Sequence, residues 1–166
     1  LPGAHKIGKA TIIPRGQAMG MVLFLPDERH SMTETQLKAH LATALGGCCA
    51  EKVVFAERST GAQSDYKQVT ALARSMICEW GMNESLGPLS LGGGGDEIFL
   101  GKDFTRSRNV SEDTAREIDR EIRQLVQEAE ATARRILEEN TDKLHVLAQA
   151  LLDYEVLDGG ELDRLL

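Results

Sequence analysis

Two runs of apolar residues near the start of the chain have the composition of β-strands. They cover residues 6–13 and 19–25 and are rich in β-branched and large apolar side chains. A segment at 14–17, which contains a proline and a glycine, separates them, and Pro26 follows the second run. The pattern predicts two short strands joined by a turn.

The next stretch of the chain has apolar residues at helical intervals. Ser31 and Glu34 have the spacing of a capping box, and apolar residues follow every three or four positions as far as Cys48. This pattern predicts one helix over residues 32–53, with a pair of glycines at 46 and 47 inside it. Because glycine destabilises a helix interior, we expect another segment to pack closely against the backbone at this pair.

A second amphipathic helix is predicted after a loop at residues 56–61. It has Asp65 in its first turn and ends near Gly81. Six apolar residues at intervals of three and four form its buried face: Val69, Leu72, Ala73, Met76, Ile77 and Trp80.

Four consecutive glycines at residues 92–95 predict a loop that enters a short strand at 96–100. A phosphate-binding loop is excluded here, because the run lacks the GK[ST] ending and is followed by two acidic residues.

The longest predicted helix begins after Ser111 and continues to about Asn140, a length of roughly 40 Å. A shorter helix starts near Thr141, and we expect the two to form an antiparallel hairpin. The tail from Gly159 to Leu166 predicts one more short helix. The fold class is therefore mainly α with a small β-sheet.

We expect residues 1–166 to form a single domain with three regions. Short strands occupy residues 1–30, helices and loops around the site occupy 31–110, and the helical hairpin and tail occupy 111–166. A chain of this length buries enough surface for a core without disulfides or metals.

Composition narrows the possible functions. The net charge of -7 and the low aromatic content of 4% disfavour a nucleic-acid partner. No run approaches 18 consecutive apolar residues and no signal peptide opens the sequence, so the chain itself is expected to be soluble. The start at Leu1-Pro2-Gly3, without an initiator methionine, reads as the exit from a preceding helix, which predicts a truncated chain.

Asp65 is the strongest candidate for chemistry. On a helical wheel it lies above Val69, Leu72 and Met76, where a carboxylate must be capped, paired or bound to a metal. Two interpretations remain open on this pattern alone. Asp65 either caps the helix by accepting backbone N–H groups or acts as a metal ligand.

Other candidates for catalysis are weak. The four histidines (His5, His30, His40 and His145) include no His-x-x-x-His pair, so the HExxH motif of zinc peptidases does not occur in these residues. The sequence has no GxSxG nucleophile motif. The three cysteines (Cys48, Cys49 and Cys78) are predicted to be reduced, buried thiols.

Several short blocks, in this order and spacing, resemble the peptidase domain of FtsH and its organelle relatives, and the resemblance covers nearly the whole chain. The blocks are KATIIPRG at 9–16, AMG at 18–20, LP at 25–26, LGG at 45–47 with AE at 50–51, STGA at 59–62 with Asp65, WGM at 80–82, LGPL at 86–89 and FLG at 99–101.

The resemblance implies a zinc endopeptidase whose metal is held by two HExxH histidines and a later aspartate, which maps onto Asp65. The HExxH segment would lie upstream of Leu1, so the fragment alone is expected to be inactive. ATP would bind an upstream ATPase domain. Glu51 is a further candidate, either as a partner of the zinc ligands or as a helix-surface group. The family usually has arginine where Cys48 stands, which puts any salt bridge of that arginine in doubt.

In this family the substrate is thought to add as an extended strand, and the matching segment here is Met19, Gly20, Met21, Val22 and Leu23. The alternative for this segment is a plain core strand.

The resemblance also implies partners and a location. The substrates would be unfolded or membrane polypeptides, and the assembly a homo-hexamer or a hetero-hexamer packed partly through the long helix. An upstream anchor would hold the parent in a membrane, with this domain in the bacterial cytoplasm or an organelle interior. The competing function is a non-catalytic, structural or chaperone-like ring subunit of the same fold.

Overall fold

Helices dominate the computed structural model, which describes residues 1–16, 19–26, 31–91 and 110–166. In chain order the elements are β1 (Ile7–Thr11), β2 (Met21–Phe24), α1 (Glu34–Ala44), α2 (Gly46–Phe55), a 3-10 turn (Thr60–Ala62), α3 (Gln63–Cys78), α4 (Glu112–Glu139), α5 (Thr141–Tyr154), β3 (Val156–Asp158) and α6 (Gly159–Leu165). The predicted class, mainly α with a small sheet, is confirmed. The predicted strand at 96–100 lies outside the described residues.

The sheet has the order β2-β1-β3, and both pairings are antiparallel. The two predicted strands form β1 and β2. The third strand has only three residues and was not predicted, because its sequence is too short to show an alternating pattern. It is fixed by tertiary contacts, including a hydrogen bond from the Thr11 hydroxyl to the Glu155 carbonyl at 3.1 Å.

The helix predicted over residues 32–53 is two helices, which meet at the buried residue Leu45. The predicted capping box at Ser31 and Glu34 is wrong. Thr33 caps α1, and its hydroxyl and backbone N–H are paired reciprocally with Gln36. The apolar periodicity continues through the bend because Leu45 packs in the same core as α1.

The expected close approach at the glycine pair is also wrong. Among the described residues outside the helix's own nearby backbone, no heavy atom lies within 4 Å of where a Cβ would stand at Gly46 or Gly47. The glycines follow a bend at the start of α2, so they are not interior positions of one continuous helix.

The main core lies between α4 and the three helices α1, α2 and α3. The Ser111 hydroxyl accepts a hydrogen bond from the Thr114 N–H at the start of α4, as predicted for this cap. The apolar stripe of α4 faces the other helices with Ile118, Ile122, Leu125, Ala129 and Ala133. None of the helices in the described residues is both long enough and apolar enough to cross a membrane.

A smaller cluster joins the sheet to the last helices. Ala10, Leu157 and Leu162 are its buried residues, and Leu147 and Leu151 of α5 pack against them. The predicted hairpin is therefore a consecutive helix pair, in which α4 packs in the main core and partly buried residues of α5 pack against the smaller cluster. The predicted short C-terminal helix is confirmed as α6.

A buried carboxylate connects α4 to the segment that follows α3. The Asn83 amide donates to Glu121 Oε2 at 2.7 Å, and Arg120 donates to Oε1 at 3.2 Å. The hydrogen bond from Asn83 is the main cause that lowers the pKa of Glu121 below its ordinary value. Glu121 therefore holds this segment most strongly when it is ionised.

We predict that Glu121→Gln destabilises the chain in a pH-dependent way. Because the folded-state pKa is depressed, the contribution of Glu121 is present above its unfolded pKa and is lost as pH falls through the folded value. The melting temperatures of wild type and variant should differ at pH 7 and converge in acid. Glu128→Gln, a surface control whose partner is the Gln124 amide, should show no such convergence. A difference that persists unchanged down to pH 2 would contradict the prediction.

Candidate functional site

Asp65 lies in the first turn of α3, as predicted, and is half-buried. The N-cap of this helix is Ala62, and within the described residues the N-cap has no side-chain hydrogen bond. Within the described residues, no hydrogen bond or ion pair of the Asp65 carboxylate is formed. The capping interpretation is therefore wrong, and both carboxylate oxygens are left for another partner.

A free carboxylate at a helix N-terminus suits a hard or borderline metal ion, and zinc accepts such an oxygen at about 2.0 to 2.2 Å. The part of the chain described here contains no group of three or more His, Cys, Asp or Glu side chains that is able to hold a metal ion. The Asp65 carboxylate therefore has the chemistry of a single metal ligand, and the described residues do not complete a metal site around it.

The loop before Asp65 is tied back to α2. Ala56 ends α2 in the left-handed region, with φ of 56°, and the chain reverses direction there. The reversal brings Ser59 to Glu51. The Ser59 N–H donates to Glu51 Oε2 at 3.0 Å, and the Ser59 hydroxyl donates to Oε1 at 2.9 Å.

Ser59 is also the N-cap of the 3-10 turn that leads into α3. Its hydroxyl oxygen accepts from the Gly61 N–H at 3.2 Å. Sequence reasoning identified Glu51 but missed Ser59, although a serine shortly before a predicted helix is a common capping signal. Glu51 is thus more than a helix-surface group, because it is bonded to the loop that precedes Asp65.

A second contact holds the same loop from the other side. Arg58 Nη2 lies 3.2 Å from Glu130 Oε1 on α4. Both side chains are well exposed, so this ion pair contributes little to stability.

The cysteines are free and buried, as predicted. The pKa of Cys49 is raised to about 11, chiefly by burial and secondarily by the neighbouring Cys48. The neighbouring Cys48, and secondarily burial, raises the pKa of Tyr66 above its ordinary value. A thiol with a raised pKa is a poor nucleophile at neutral pH, so catalysis by Cys49 is disfavoured.

Two of the histidines lie close together in the structure. Both are distant from Asp65 in the sequence. The rings of His5 and His40 meet edge to face with centroids 5.9 Å apart. Burial, and secondarily His5, lowers the pKa of His40 below its ordinary value. A third histidine, His30, lies outside the described residues.

The predicted substrate strand is at the edge of the sheet. Its described pairing is with β1, so one side of β2 has no strand neighbour within the described residues. Val22 and Leu23 are 48% and 50% exposed, and Met19 is 88% exposed. These exposures fit an open edge better than a buried core strand, and the role of the segment in substrate binding stays a prediction.

Gly20 has a steric reason to be glycine. A Cβ there would lie 2.7 Å from the Thr11 carbonyl oxygen. The glycine thus lets the two strands approach closely where β2 begins.

A cavity of about 650 Å³ lies between α4 and the segment after α3. Its lining is polar and includes Glu34, Glu84, Glu121 and Glu128. Neither Asp65 nor β2 lines it, so it is separate from the candidate metal position.

Comparison with known proteins gives one family. The family model described as Peptidase family M41 matches residues 1–165. Relatives named "ATP-dependent zinc metalloprotease FtsH" are 46% identical in Caulobacter vibrioides and 47% identical in Chloroflexus aggregans, each over 100% of this chain. A relative named "ATP-dependent zinc metalloprotease FtsH 1" from a Thermoanaerobacter species is 43% identical over 99% of the chain. The chain spans 26% to 27% of the length of these relatives.

Proposed function

Because the chain belongs to peptidase family M41, we propose that it forms part of the peptidase domain of an FtsH-type, ATP-dependent zinc metalloendopeptidase. The observation that carries the proposal is the Asp65 carboxylate, half-buried in the first turn of α3 and without a hydrogen bond in the described residues. The relatives carry zinc and ATP dependence in their names.

In this proposal Asp65 is the third protein ligand, and the two histidines and the catalytic glutamate belong to an HExxH segment upstream of Leu1. Bound zinc supplies a Lewis acid and an activated water for peptide hydrolysis. The role of Asp65 is to present one negative oxygen at a fixed place. A rigid helix suits that role better than a loop does. α3 is held rigidly because Val69, Ala73 and Met76 anchor it in the core.

The substrate is proposed to bind as an extended polypeptide along the free side of β2. An edge strand offers unpaired backbone N–H and C=O groups at alternate residues, and these recognise any extended chain through its backbone. The exposed side chains of Val22 and Leu23 add apolar contacts. Such a surface favours unfolded or membrane-extracted polypeptides, because a folded protein has few segments free to pair.

Assembly into a six-membered ring, with identical or different subunits, is also proposed. The apolar stripe of α4 is buried in the main core, so contacts between subunits need another surface. α5 has no buried residue, and its exposed apolar side chains (Val146, Leu152 and Tyr154) offer one. An upstream ATPase domain would feed substrate to the ring, and an upstream anchor would tether it to the bacterial inner membrane or an organelle membrane.

A non-catalytic ring subunit is the second candidate function. It is favoured by the fact that the described residues contain no complete metal-binding group. The two candidates share the fold and differ in the upstream segment, so the test must include that segment.

The test compares the 166-residue chain with a longer chain in which an HExxH-bearing segment is joined upstream of Leu1. We predict that the 166-residue chain alone neither hydrolyses casein nor binds zinc tightly, because one carboxylate does not replace three ligands and a general base. The longer chain should bind one zinc per subunit and cleave casein in a chelator-sensitive manner. Zinc-dependent cleavage by the 166-residue chain, or a metal-free longer chain, would contradict the proposal.

A further inference from the structure

The position of Asp65 depends on the backbone that precedes α3, and this backbone is held by a residue outside α3. Since the Asp65 side chain has no hydrogen bond in the described residues, its carboxylate is placed only by the first turn of the helix and by its own rotamer. That turn also lacks a side-chain cap. Any movement of the chain at the start of α3 is therefore passed directly to the carboxylate oxygens.

The chain at this point is fixed chiefly by Glu51. Both oxygens of its carboxylate are used on one residue, Ser59, through the N–H at 3.0 Å and the hydroxyl at 2.9 Å. Hydrogen bonds to an ionised acceptor are stronger than neutral ones, and two of them fix orientation as well as distance. The same hydroxyl accepts from Gly61, so the Glu51 carboxylate orders the 3-10 turn that ends one residue before α3 begins.

We infer that Glu51 is a positioning residue for the metal ligand Asp65: it acts through Ser59 and the 3-10 turn and does not touch the metal. The inference rests on the proposed function of Asp65. Outer-shell groups that orient metal ligands typically change metal affinity by 10- to 100-fold when they are removed. Here the orienting contact, between Glu51 and Ser59, holds the backbone before α3 and does not bond to the side chain of Asp65 itself.

Two alternatives make different predictions. If Glu51 were itself a zinc ligand, its effect on zinc affinity would not need Ser59. If the contact with Ser59 only stabilised the fold, its loss would lower the melting temperature without a specific loss of zinc.

The experiment uses the full-length protease chain with its HExxH segment and measures zinc affinity by chelator competition. The variants are Glu51→Ala, Ser59→Ala and the double variant. The control Glu57→Gln changes an exposed carboxylate of the same loop that has no hydrogen bond within the described residues. We expect Glu51→Ala to weaken zinc about 10-fold and Ser59→Ala to weaken it in the same direction. The double variant should be no weaker than Glu51→Ala, and Glu57→Gln should match wild type.

A readout without zinc completes the test. In the metal-free chain, amide hydrogen exchange at Ser59 and Gly61 should accelerate in Glu51→Ala, while exchange in the core of α3 and the melting temperature stay close to wild type. Glu51→Gln, which keeps one acceptor oxygen, should lose less than Glu51→Ala in both measurements.

The outcomes that overturn the inference are distinct from failure of the proposed function. Unchanged zinc affinity in Glu51→Ala, or additive effects of the two single variants, would refute positioning through Ser59. So would unchanged amide exchange at Ser59 and Gly61. If Asp65→Asn retains full zinc affinity, the proposed function itself fails. Loss of zinc in Asp65→Asn with none in Glu51→Ala refutes only the present inference.

Discussion

Replacing Asp65 with asparagine, in a full-length chain that carries HExxH, is expected to abolish protein cleavage while leaving the fold intact. The amide keeps the size of the side chain but removes the negative charge that zinc binding requires. The expected loss of zinc affinity exceeds about 100-fold, the upper end of what removal of an outer-shell group causes. Bound zinc, casein hydrolysis and ATP hydrolysis should be measured on the same preparation, and only the first two should fall.

Stability separates this result from a structural defect. Asp65 has no hydrogen bond in the described residues, so neither Asp65→Asn nor Asp65→Ala is expected to change the free energy of unfolding by more than a surface substitution does, about 0.5 kcal/mol. The matched control is Asp163→Asn, the same change at an exposed aspartate on α6. It should leave zinc, cleavage and stability unchanged. Full proteolysis by Asp65→Asn would end the assignment of Asp65 as a ligand.

Features that depend on local sequence could be predicted well. The amphipathic stripe of α4 and its Ser111 cap arise from residues a few positions apart, and both are present in the structure. The position of Asp65 on a partly buried turn follows from the same helical spacing. The resemblance then supplied what spacing does not contain, namely the identity of the metal.

Features that depend on distant contacts could not be predicted. β3 has three residues and exists because it pairs with β1, which lies far away in the chain. The bend at Leu45 leaves the apolar pattern unbroken, so periodicity alone does not distinguish one helix from two. The contact between Glu51 and Ser59 requires the reversal at Ala56, where a non-glycine residue adopts positive φ without any sequence signal.

These differences share a physical cause. Hydrophobic spacing reports which face of an element is buried, but it contains no information about the path of the chain between elements. At the candidate site the position of Asp65 on its helix is a local feature, whereas the contact that holds the preceding loop is a tertiary one. That is why the place of Asp65 in the first turn of α3 could be predicted from the sequence, whereas the contact between Glu51 and Ser59 could not.

The core that fixes α3, and with it Asp65, gives the second large expected effect. Leu41 of α1 is 0% exposed and packs in the cluster formed with α3 and α4. Leu41→Ala removes three buried carbon atoms and leaves a cavity, because its rigid helical neighbours relax only in part. We expect a loss of about 2 to 5 kcal/mol in the free energy of unfolding. That loss is a large fraction of the free energy of unfolding of a whole domain, which is typically about 5 to 15 kcal/mol.

The control for this prediction is the same substitution at Leu152 of α5, which is 68% exposed. Leu152→Ala should change the free energy of unfolding by less than about 0.5 kcal/mol. Both variants are measured by urea unfolding of the 166-residue chain, where a lower midpoint with an unchanged slope reports lost stability alone. Equal effects at the two leucines would mean that α1 does not pack on α3 and α4 as described. The helical anchor of Asp65 would then lose its physical basis.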